Sequence, residues 1–425
     1  MTIEITQDFF SALLQLQKGR NVLITGRAGT GKSTLLREFI NKHTHGRNTL
    51  ITAPTGVAAL NIGGVTIHRG FGFHPALFPD DIKDTDAYRP SKKTVETLQS
   101  LDILIIDEIS MVRADLFDMI DTALRRIRQN DAPFGGVQLV LVGDLLQLPP
   151  VVPNEDMQLF TGHPWTSPYF FSSNCYPLLD LYSIELTTIW RQKDDKFIEL
   201  LNQVREGEIS NDLLSQLNTC VDEKYPEENG WVILTPYRKK AHKINQEKLD
   251  NIPGNILYSV AEFKGEAAEK DFPGSVELLY KPGARVMSII NDPDNLFVNG
   301  SFGTITNATQ DAITVKFDHG PTAEITAHTW EVRRPAMYGE RLSSETVGSI
   351  TQFPVILAWA ITIHKSQGKT IPKCYIDLSG GTQIDGQFYV ALSRAVDLEH
   401  LRINQEVSPK NIRSDGRIIR MIRRG

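Results

Sequence analysis

The stretch Val22-Leu-Ile-Thr-Gly26-Arg-Ala-Gly-Thr-Gly31-Lys32-Ser33 decides the fold of this 425-residue chain. Its apolar beginning predicts a buried strand, and its glycine-rich part fits the pattern G-x4-G-K-[ST] at the start of a helix. In that pattern backbone N–H groups wrap phosphate groups, and the positive end of the helix adds to the attraction. We therefore expect Lys32 to reach the β- and γ-phosphates of a nucleotide and Ser33 to hold Mg²⁺.

Short apolar strands alternate with helical patterns through the first half of the chain. The strands are predicted at Val22-Leu-Ile-Thr, Leu50-Ile-Thr, Ile103-Leu-Ile-Ile and Val137-Gln-Leu-Val-Leu-Val. Such nearly continuous hydrophobicity is typical of parallel strands that are covered on both faces. Between the last two strands, residues Asp115 to Arg128 carry apolar side chains at helical spacing and charged side chains on the other face. The pattern predicts a doubly wound α/β layout.

The second half of the chain repeats the α/β pattern around a segment of different character. The α/β strands are predicted at Trp231-Val-Ile-Leu-Thr, Val355-Ile-Leu-Ala-Trp-Ala-Ile and Cys374-Tyr-Ile-Asp-Leu. The segment between the first two carries short strands divided by turn residues, at Val276-Glu-Leu-Leu-Tyr, Ala284 to Ile290, Phe302-Gly-Thr-Ile and Ile313-Thr-Val-Lys-Phe. This spacing predicts a small inserted β-barrel. The stretch Gly63 to Pro90, rich in Gly, Pro, Phe, His and Asp, is a second departure, which we call the excursion.

Two further motifs follow predicted strands of the first half. Ile103-Leu-Ile-Ile ends in the carboxylates Asp107 and Glu108. Asp107 fits a partner of Mg²⁺, and Glu108 fits a base that orients an attacking water, which indicates hydrolysis rather than transfer to a substrate. Gln147 follows the next strand and fits a sensor of the γ-phosphate that reports to a moving element.

Composition limits the classes of protein that are possible. With 41% hydrophobic and 23% charged residues, the chain is neither disordered nor collagen-like nor a coiled coil. The longest apolar run, Val355 to Ile361, is too short for a membrane span. The N-terminus has no basic segment before an apolar stretch, so we expect a cytoplasmic protein, nucleoid-associated in a bacterium, or a nuclear one in a eukaryote.

Cysteine content and charge exclude other kinds of site. The three cysteines, Cys175, Cys220 and Cys374, lie far apart, which argues against a disulfide framework and against zinc or iron–sulfur binding. The net charge of −6 does not indicate a nucleic-acid binder, so any basic surface must be local. From Arg402 to Gly425 there are seven Lys or Arg against two acids, which fits either a binding surface or a solvated helix face.

The motifs, taken in order, carry a resemblance to a known family. They are GRAGTGKS (26–33), APTGVAA (53–59), GGVTIHRGFGF (63–73), LIIDEIS (104–110), VGDLLQLPPV (142–151), LTTIWRQ (186–192), LTPYR (234–238), AITIHKSQGKT (360–370) and YVALSRA (389–395). The set resembles the PIF (petite integration frequency) family of DNA helicases, related to RecD-type enzymes within superfamily 1B. The resemblance covers nearly the whole chain, and residues 115–128 resemble the signature that separates this family from its RecD-type relatives.

The resemblance implies an α/β fold with two RecA-like P-loop NTPase lobes, a small wedge and an inserted SH3-like β-barrel. The implied domains are residues 1–185 for the first lobe with 64–90 as the wedge, residues 186–250 and 349–425 for the second lobe, and residues 251–348 for the barrel.

The resemblance also implies roles for residues at their positions in this sequence. Nucleotide binding is implied for Gln7, Gly26, Ala28, Gly29, Thr30, Gly31, Lys32, Ser33, Thr34 and Gly368, with Gln7 on the adenine, and metal binding for Ser33 and Asp107. Catalysis is implied for Lys32, Asp107, Glu108, Gln147, Arg191 and Arg394, the two arginines reaching the γ-phosphate. DNA binding is implied for Thr55, Gly56, Thr66, His68, Phe71, Phe73, Thr235, His364, Lys365 and Ser366. Phe71 and Phe73 would stack on bases or separate the duplex, with a place in the core as the other interpretation.

The implied activity is that of an ATP-dependent DNA helicase that moves 5′ to 3′ on single-stranded DNA. ATP with Mg²⁺ would be hydrolysed between the two lobes, and tailed or forked duplexes would be unwound. G-quadruplexes, RNA–DNA hybrids and protein partners stay open, and no membrane is expected. The alternatives are a P-loop nucleotide kinase, against which the second α/β lobe argues, and an ATP-binding nucleic-acid clamp without turnover, against which Asp107 and Glu108 argue.

Overall fold

The computed structural model describes residues 6–74, 77–162, 164–192, 194–226, 230–294, 296–338 and 341–424. Residues 1–5 and Gly425 lie outside the described residues. The predictions about the N-terminus and about the basic stretch from Arg402 to Gly425 rest in part on them. The chain divides into two compact units. The first unit consists of Met1–Trp190, Arg333–Thr346 and Arg420–Gly425, and the second of Arg191–Val332 and Val347–Ile419.

The first unit is built on a six-stranded parallel sheet. Its strands are β1 (Asn21–Gly26), β2 (Thr49–Ala53), β3 (Val65–Thr66), β4 (Ile103–Ile106), β5 (Gln138–Val142) and β6 (Leu181–Leu186). Its helices are α1 (Gln7–Gln17), α2 (Lys32–His43), α3 (Gly56–Asn61), α4 (Ile67–Phe71), α5 (Pro79–Lys83), α6 (Lys92–Gln99) and α7 (Ala114–Arg128). The strand order is β3-β2-β4-β5-β1-β6, and every pair within it is parallel.

The four strands predicted for this half are confirmed as β1, β2, β4 and β5. Their side chains are almost all buried because α1 and α2 pack on the sheet, with Phe9, Leu16 and Phe39 in the same core as Val22 and Val140. The sequence did not predict the edge strands β3 and β6. β3 is only two residues long, and β6 is mostly half-buried, so neither carries the continuous apolar pattern of a central strand.

Helix α7 differs from its prediction on its charged face. Asp115, Asp118 and Asp121 are buried rather than solvated. Asp118 accepts hydrogen bonds from the indole N–H of Trp165 at 2.7 Å and from the backbone N–H of Cys175 at 2.9 Å. Loops pack over the polar side of the helix, and its carboxylates hold them by satisfying their donors. The signature segment is therefore a buried scaffold.

The second unit contains four sheets. Its strands are β7 (Trp231–Thr235), β8 (Leu257–Val260), β9 (Glu262–Gly265), β10 (Glu277–Tyr280), β11 (Arg285–Ser288), β12 (Phe302–Ala308), β13 (Ala312–Phe317), β14 (Thr322–Thr326), β17 (Val355–Leu357), β18 (Ala360–Thr362), β19 (Lys373–Ile376) and β20 (Leu401–Ile403), while β15 (His328–Tyr338) and β16 (Arg341–Gln352) contain residues of both units. Its helices are α8 (Asp195–Glu206), α9 (Asn211–Asn218), α10 (Arg238–Asp250), α11 (Ile363–Ser366) and α12 (Gln387–Leu392), and α13 (Gly416–Arg424) ends the described chain.

One of these sheets is parallel and the others are antiparallel. The parallel sheet has the order β18-β7-β19-β20, as the second α/β pattern predicts. The antiparallel strands form sheets in the orders β14-β13-β12-β11-β17, β10-β8 and β15-β16-β9. Aromatic and branched side chains such as Tyr280, Val286 and Phe317 fill the core beneath the five-stranded sheet. Closure into an SH3-like barrel and the domain boundaries stay predictions.

The apolar run Val355 to Ile361 forms two strands, which corrects its prediction as one. β17 pairs with β11 in the antiparallel sheet, whereas β18 pairs with β7 in the parallel sheet. The change occurs across one peptide bond: the N–H of Ala358 donates to the carbonyl of Arg285 at 2.9 Å, and the carbonyl of Trp359 accepts from Ile233 at 2.8 Å. Hydrophobicity alone cannot assign the two halves of such a run to different sheets.

A buried amide spans this joint. Asn245 of α10 donates to the carbonyl oxygens of Leu357 at 3.3 Å and Ala360 at 2.8 Å, and its Oδ1 accepts from the N–H of Ala360 at 2.8 Å. One side chain thereby satisfies backbone groups on both sides of the change of sheet. Within the described residues, no helix is both long enough and apolar enough to cross a membrane.

Candidate functional site

The predicted catalytic residues of the first unit lie at one edge of its sheet. Strands β4, β5 and β1 are neighbours and run parallel, so their carboxyl ends meet. The glycine-rich loop follows β1, Asp107 follows β4, and Gln147 lies in the loop after β5. Ligands of open α/β sheets bind at this edge. The structure therefore brings together the three motifs that the sequence assigns to one site.

The backbone of the loop after β1 requires glycine. Gly26, Gly29 and Gly31 have φ values of 143°, 81° and 87°, which L side chains rarely adopt. A Cβ at Gly26 would also lie 2.6 Å from the carbonyl oxygen of Leu186 in β6. The loop thus turns tightly from β1 into α2, so the positive end of the helix lies at the loop, where it favours an anion.

The side chains of this loop fold back onto its backbone. The Nζ of Lys32 donates to the carbonyl oxygens of Gly26 at 2.7 Å and Arg27 at 2.9 Å, and the hydroxyl of Thr30 donates to Arg27 at 2.9 Å. Ser33 is exposed as the second residue of α2. The remaining predicted residues of the loop are Ala28, which is buried, and Thr34, which is half-buried. The ammonium group of Lys32 lies over the loop. A phosphate bound there would replace the two carbonyl oxygens as the hydrogen-bond acceptor of this group.

Asp107 is the buried carboxylate of the site. Burial raises its pKa to about 6, while the hydrogen bond from the N–H of Glu108 at 2.9 Å and the charge of Lys32 both lower it. A carboxylate that is desolvated in this way is suited to a cation. Its oxygens and the hydroxyl of Ser33 are hard donors of the kind Mg²⁺ prefers, so the residues fit the predicted metal. Among the described residues, no three His, Cys, Asp or Glu side chains form a cluster that could hold a metal ion alone.

Glu108 lies on a strained backbone. Its φ of 52° is one of three positive values among non-glycine residues in the described ranges. Such a conformation costs on the order of 1 kcal/mol and is found mainly at functional sites. It starts the 3-10 turn Ile109–Met111, and a Cβ on Gly143 would lie 3.1 Å from the N of Ile109. The turn directs the chain so that Glu108 is half-exposed beside buried Asp107.

Gln147 is held by an aspartate of its own loop. Its Nε2 donates to Oδ2 of Asp144 at 3.1 Å, and its backbone N–H donates to the carbonyl of the same residue at 3.1 Å. Both side chains are buried. A buried amide fixed at the carboxyl end of β5 can change partners when a nucleotide arrives, as the predicted sensor requires.

Sequence reasoning missed Trp190, which lies against the phosphate loop. Its backbone N–H donates to the carbonyl of Gly29 at 2.9 Å, and a Cβ on Gly31 would lie 3.7 Å from its indole. Trp190 is nevertheless 46% exposed as a residue. A large aromatic side chain left open beside a phosphate loop offers a surface for a flat ring. The signal in the sequence was the tryptophan directly before Arg191.

The N-terminus of α1 is joined to the same segment. Gln7 is the first residue of the helix and is exposed. Its neighbour Asp8 accepts hydrogen bonds from the N–H of Thr187 at 2.7 Å and from its hydroxyl at 3.1 Å. Burial raises the pKa of Asp8, but hydrogen bonds from Thr6 and Thr187 outweigh it, and the pKa is lowered. The residues after β6 therefore connect the predicted adenine contact with the phosphate loop.

Four predicted DNA contacts of the first unit follow neighbouring strands. Thr55 and Gly56 follow β2, and Thr66 and His68 follow or end β3, which pairs with β2 in parallel. Thr55 accepts from the N–H of Ala58 at 3.2 Å, and Thr66 caps α4 by accepting from Arg69. Two helix beginnings with short polar side chains therefore lie at one edge, an arrangement that suits phosphate contacts.

Phe71 and Phe73 are buried, which favours the core interpretation over the one in which they stack on bases. Phe71 has no exposed surface, its ring stacks on that of Phe73 at 5.2 Å, and Phe73 packs on Tyr88 at 5.4 Å. The hydroxyl of Tyr88 donates to the carbonyl of Phe71 at 2.6 Å. The two phenylalanines therefore form the core of the excursion together with Tyr88.

The predicted DNA contacts of the second unit lie at the ends of two neighbouring parallel strands, β7 and β18. Thr235 ends β7, and α11 with His364, Lys365 and Ser366 follows β18, the parallel neighbour of β7. Lys365 is exposed and His364 half-buried. Thr235 and Ser366 have no exposed surface, and the hydroxyl of Ser366 donates to Ile363 at 2.7 Å. The contact of these two residues with DNA stays a prediction, and a backbone contact is compatible with their buried side chains.

The two predicted arginines both donate hydrogen bonds to carbonyl oxygens of the segment from Val390 to Ser393. Arg191 donates to the carbonyl oxygens of Ser393 and Gly368, both at 3.1 Å. Arg394 is 1% exposed and donates to the carbonyls of Val390 at 2.9 Å and Ser366 at 3.3 Å. In the structure both guanidinium groups therefore bind carbonyl oxygens of their own unit, which anchors the loop containing Gly368.

Comparison with known proteins identifies the family. A family model described as PIF1-like helicase matches residues 5–213. The ATP-dependent DNA helicase Pif1 of Bdellovibrio bacteriovorus is 32% identical over 397 residues, which cover 92% of this chain and 86% of the relative. The chain belongs to the PIF1-like helicase family. A Bacteroides Pif1 solved in complex with ADP-AlF4 superposes with a TM-score of 0.89 at 35% identity, covering 100% of this chain and 97% of that one.

The PIF1-like chain is shorter than some of its relatives. The human ATP-dependent DNA helicase PIF1 is 35% identical over 437 residues, covering 99% of this chain and 64% of the human protein. The family assignment confirms the resemblance on which the site residues were predicted, and it confirms the two RecA-like lobes as the fold class. It leaves the individual roles of the site residues as predictions.

Proposed function

We propose that this PIF1-like protein is an ATP-dependent DNA helicase that moves 5′ to 3′ along single-stranded DNA. One observation carries the proposal: the phosphate loop, the pair Asp107 and Glu108, and Gln147 meet at the carboxyl edge of three adjacent parallel strands. Relatives supply the DNA part, since they are named ATP-dependent DNA helicases and a Bacteroides Pif1 has been solved bound to single-stranded DNA.

In this proposal the loop binds the phosphates of ATP. Lys32 exchanges the carbonyl oxygens of Gly26 and Arg27 for β- and γ-phosphate oxygens, and the N–H groups at the start of α2 bind the same anion. Ser33 and Asp107 hold Mg²⁺, which neutralises charge on the phosphates. The exposed indole of Trp190 and the amide of Gln7 contact the base.

Glu108 then orients the water that attacks the γ-phosphorus. Its backbone has a φ of 52° directly after the buried strand end, and the residue is half-exposed while its neighbour Asp107 is buried. Gln147 responds to the γ-phosphate by leaving Asp144, and Arg191 and Arg394 supply positive charge to the transition state. Arginine suits this role because its planar fork pairs with two phosphate oxygens at once.

The proposed DNA path uses short polar and cationic groups rather than aromatic ones. In the first unit it runs past Thr55, Gly56, Thr66 and His68, and in the second past His364 and Lys365. Helix beginnings and cationic side chains contact phosphates without reading bases, so the grip is independent of sequence. ATP binding and hydrolysis would change the grip and so move the strand.

The test is unwinding of duplexes that carry a single-stranded tail at either the 5′ or the 3′ end. We expect unwinding of the 5′-tailed duplex and little activity on the blunt or 3′-tailed one. Preference for the 3′ tail would contradict the proposed polarity. Phosphate release that single-stranded DNA does not stimulate would favour the nucleotide-kinase alternative, and DNA binding without any phosphate release would favour the clamp.

A further inference from the structure

Lys369 lies directly after the turn that carries the predicted contacts of the second unit. Sequence reasoning selected His364, Lys365, Ser366 and Gly368 from this turn and did not include Lys369. The backbone N–H of Lys369 donates to the carbonyl of Ser366 at 3.0 Å. The point from which its side chain extends is therefore fixed by the same turn.

A loop of the antiparallel part holds the end of this side chain. The Nζ of Lys369 donates to Oδ1 of Asn299, in the connection between β11 and β12, at 2.7 Å. A Cβ on Gly300 would lie 3.3 Å from the Cγ and Cδ of Lys369, so the aliphatic stem packs closely on that glycine. The loop is itself fixed, because Asn299 donates to the side chain of Asn291 at 2.8 Å and Gly300 to the carbonyl of Ser288 at 2.8 Å. Lys369 is thus ordered before a ligand arrives, which lowers the entropy cost of binding.

The charged groups that act on Lys369 and its neighbours are cations. Desolvation and the charge of Lys365 lower the pKa of Lys369 to about 8. Desolvation and the charge of Arg238 lower the pKa values of Lys365 and His364. Asn299 contributes a hydrogen bond but no negative charge. Bringing like charges together costs free energy, and a bound polyanion offsets that cost.

We propose that Lys369, held by Asn299, forms with Lys365 a further binding point for the phosphate backbone of DNA. An ammonium group has three N–H donors, of which the bond to Asn299 uses one and so orients the group. Lysine binds phosphate as a point charge and reads no base, which suits a strand of any sequence. The inference rests on the proposed function, because it takes single-stranded DNA as the ligand.

The test is equilibrium binding of fluorescein-labelled oligo(dT) to the full chain, measured by anisotropy over a range of salt concentrations without nucleotide. Lys369→Ala should weaken binding by about fivefold to tenfold at 50 mM salt and should reduce the slope of log Kd against log salt by about 0.7, the value for one lost phosphate contact on a single strand. Lys369→Arg should keep most of the affinity and the parent slope, since the charge remains.

The variant Asn299→Ala tests the positioning of the Lys369 side chain separately from its charge. Asn299→Ala keeps every cation, so we expect binding weaker by about twofold to threefold with an unchanged salt slope. Combined with Lys369→Ala it should add nothing, because the two residues act through one contact. The matched control is Lys264→Ala, which removes an exposed lysine of β9 that pairs with Glu262 at 3.1 Å, and it should bind as the parent does.

Three results would overturn the inference. They are parent affinity for Lys369→Ala, an unchanged salt slope for Lys369→Ala, and an equal loss of affinity for Lys264→Ala. Thermal unfolding checks that each variant folds, and Lys369→Gln, which keeps the length of the stem, replaces Lys369→Ala if that variant does not. If the parent itself fails to bind oligo(dT), the proposed function fails instead, so the two failures are distinguishable.

Discussion

Arg126 of α7 donates a hydrogen bond to the carbonyl oxygen of Tyr88 at 3.1 Å and lies 5.4 Å from the centre of the same residue's ring. It also donates to the carbonyl oxygens of Ile82 and Asp84. Tyr88 in turn is buried against Phe73 in the core of the excursion. One side chain of the signature helix therefore fixes three points of the excursion to the sheet-bearing part of the first unit.

Arg126→Ala should loosen the excursion. Three carbonyl oxygens lose a charged donor, so we expect the free energy of unfolding to fall by about 1–3 kcal/mol. Urea unfolding measures the loss, and hydrogen exchange should rise between residues 78 and 90. Lys83→Ala is the control, because its ion pair with Asp80 is exposed and contributes little. Equal stability of the two variants would contradict the role of Arg126.

Glu108→Gln should keep ATP binding and lose turnover. The substitution spares the carboxylate of Asp107 and the loop, and it removes only the base that orients the water. Binding of a fluorescent ATP analogue and phosphate release measure the two effects. Lys32→Ala is the comparison, since it should lose hydrolysis through the missing charge on the phosphates. Parent-level hydrolysis by Glu108→Gln would show that another group orients the water.

Trp190→Ala should raise the KM for ATP by several-fold and lower kcat much less. The exposed indole beside Gly31 offers a stacking surface to the base, and its side chain has no group that could donate charge or a proton to the transferring phosphoryl group. Trp190→Phe should recover part of the affinity, because a smaller ring still stacks. Steady-state hydrolysis with saturating DNA gives both constants. An unchanged KM in Trp190→Ala would remove this residue from the nucleotide site.

Arg394→Ala should lower hydrolysis by orders of magnitude, within the range of about 10³ to 10⁵ that such arginines supply. ATP affinity should change much less, and Arg394→Lys should rescue little because a point charge does not replace the fork. Since Arg394 also binds the carbonyls of Val390 and Ser366, thermal unfolding is measured beside phosphate release. DNA-stimulated turnover in a folded Arg394→Ala protein would contradict the catalytic role.

DNA binding should weaken as pH rises from 7 to 9 at constant ionic strength. Desolvation and Lys365 hold the pKa of Lys369 near 8 in the DNA-free protein. Only its protonated form attracts phosphate, so the contact is present below that pKa and is lost above it. Lys369→Arg, which stays protonated, should remove this part of the pH dependence.

The groups near Lys369 do not produce the same change. Desolvation and the charge of Arg238 lower the pKa of His364 from its ordinary value, so His364 is neutral over this range. Lys365 also has a lowered pKa and is present in both proteins, so the comparison of the two profiles isolates the titration at position 369 only after that of Lys365 is subtracted with Lys365→Ala in each background. Identical pH profiles for the parent and for Lys369→Arg would contradict the prediction.

The central strands and the nucleotide motifs were predictable because their signal is local. A buried parallel strand such as Ile103–Ile106 is apolar at every position, and the phosphate loop needs its glycines within eight residues. The carboxyl ends of parallel strands meet at one edge, so the site followed from the order of the motifs.

What the sequence did not predict depends on partners distant in the chain. Asp118 is buried because Trp165 and Cys175 supply its donors, more than forty residues away. Phe71 looked like an exposed aromatic on a glycine-flanked loop, and its burial depends on Tyr88. Helical spacing and composition describe a residue's own element, whereas the burial of a polar or aromatic side chain depends on what packs over it.

The peptide bond between Ala358 and Trp359 joins the five-stranded antiparallel sheet of the second unit directly to its parallel sheet. Only two residues separate β17 of the antiparallel sheet from β18 of the parallel sheet. Asn245 forms hydrogen bonds with backbone groups on both sides of this short connection. Under the proposed function, tension that bound DNA applies to the antiparallel strands would pass along the chain into β18, which is followed by α11 with Lys365. A single residue inserted at this step should weaken that coupling, because it would separate the two strands and displace the groups that Asn245 binds.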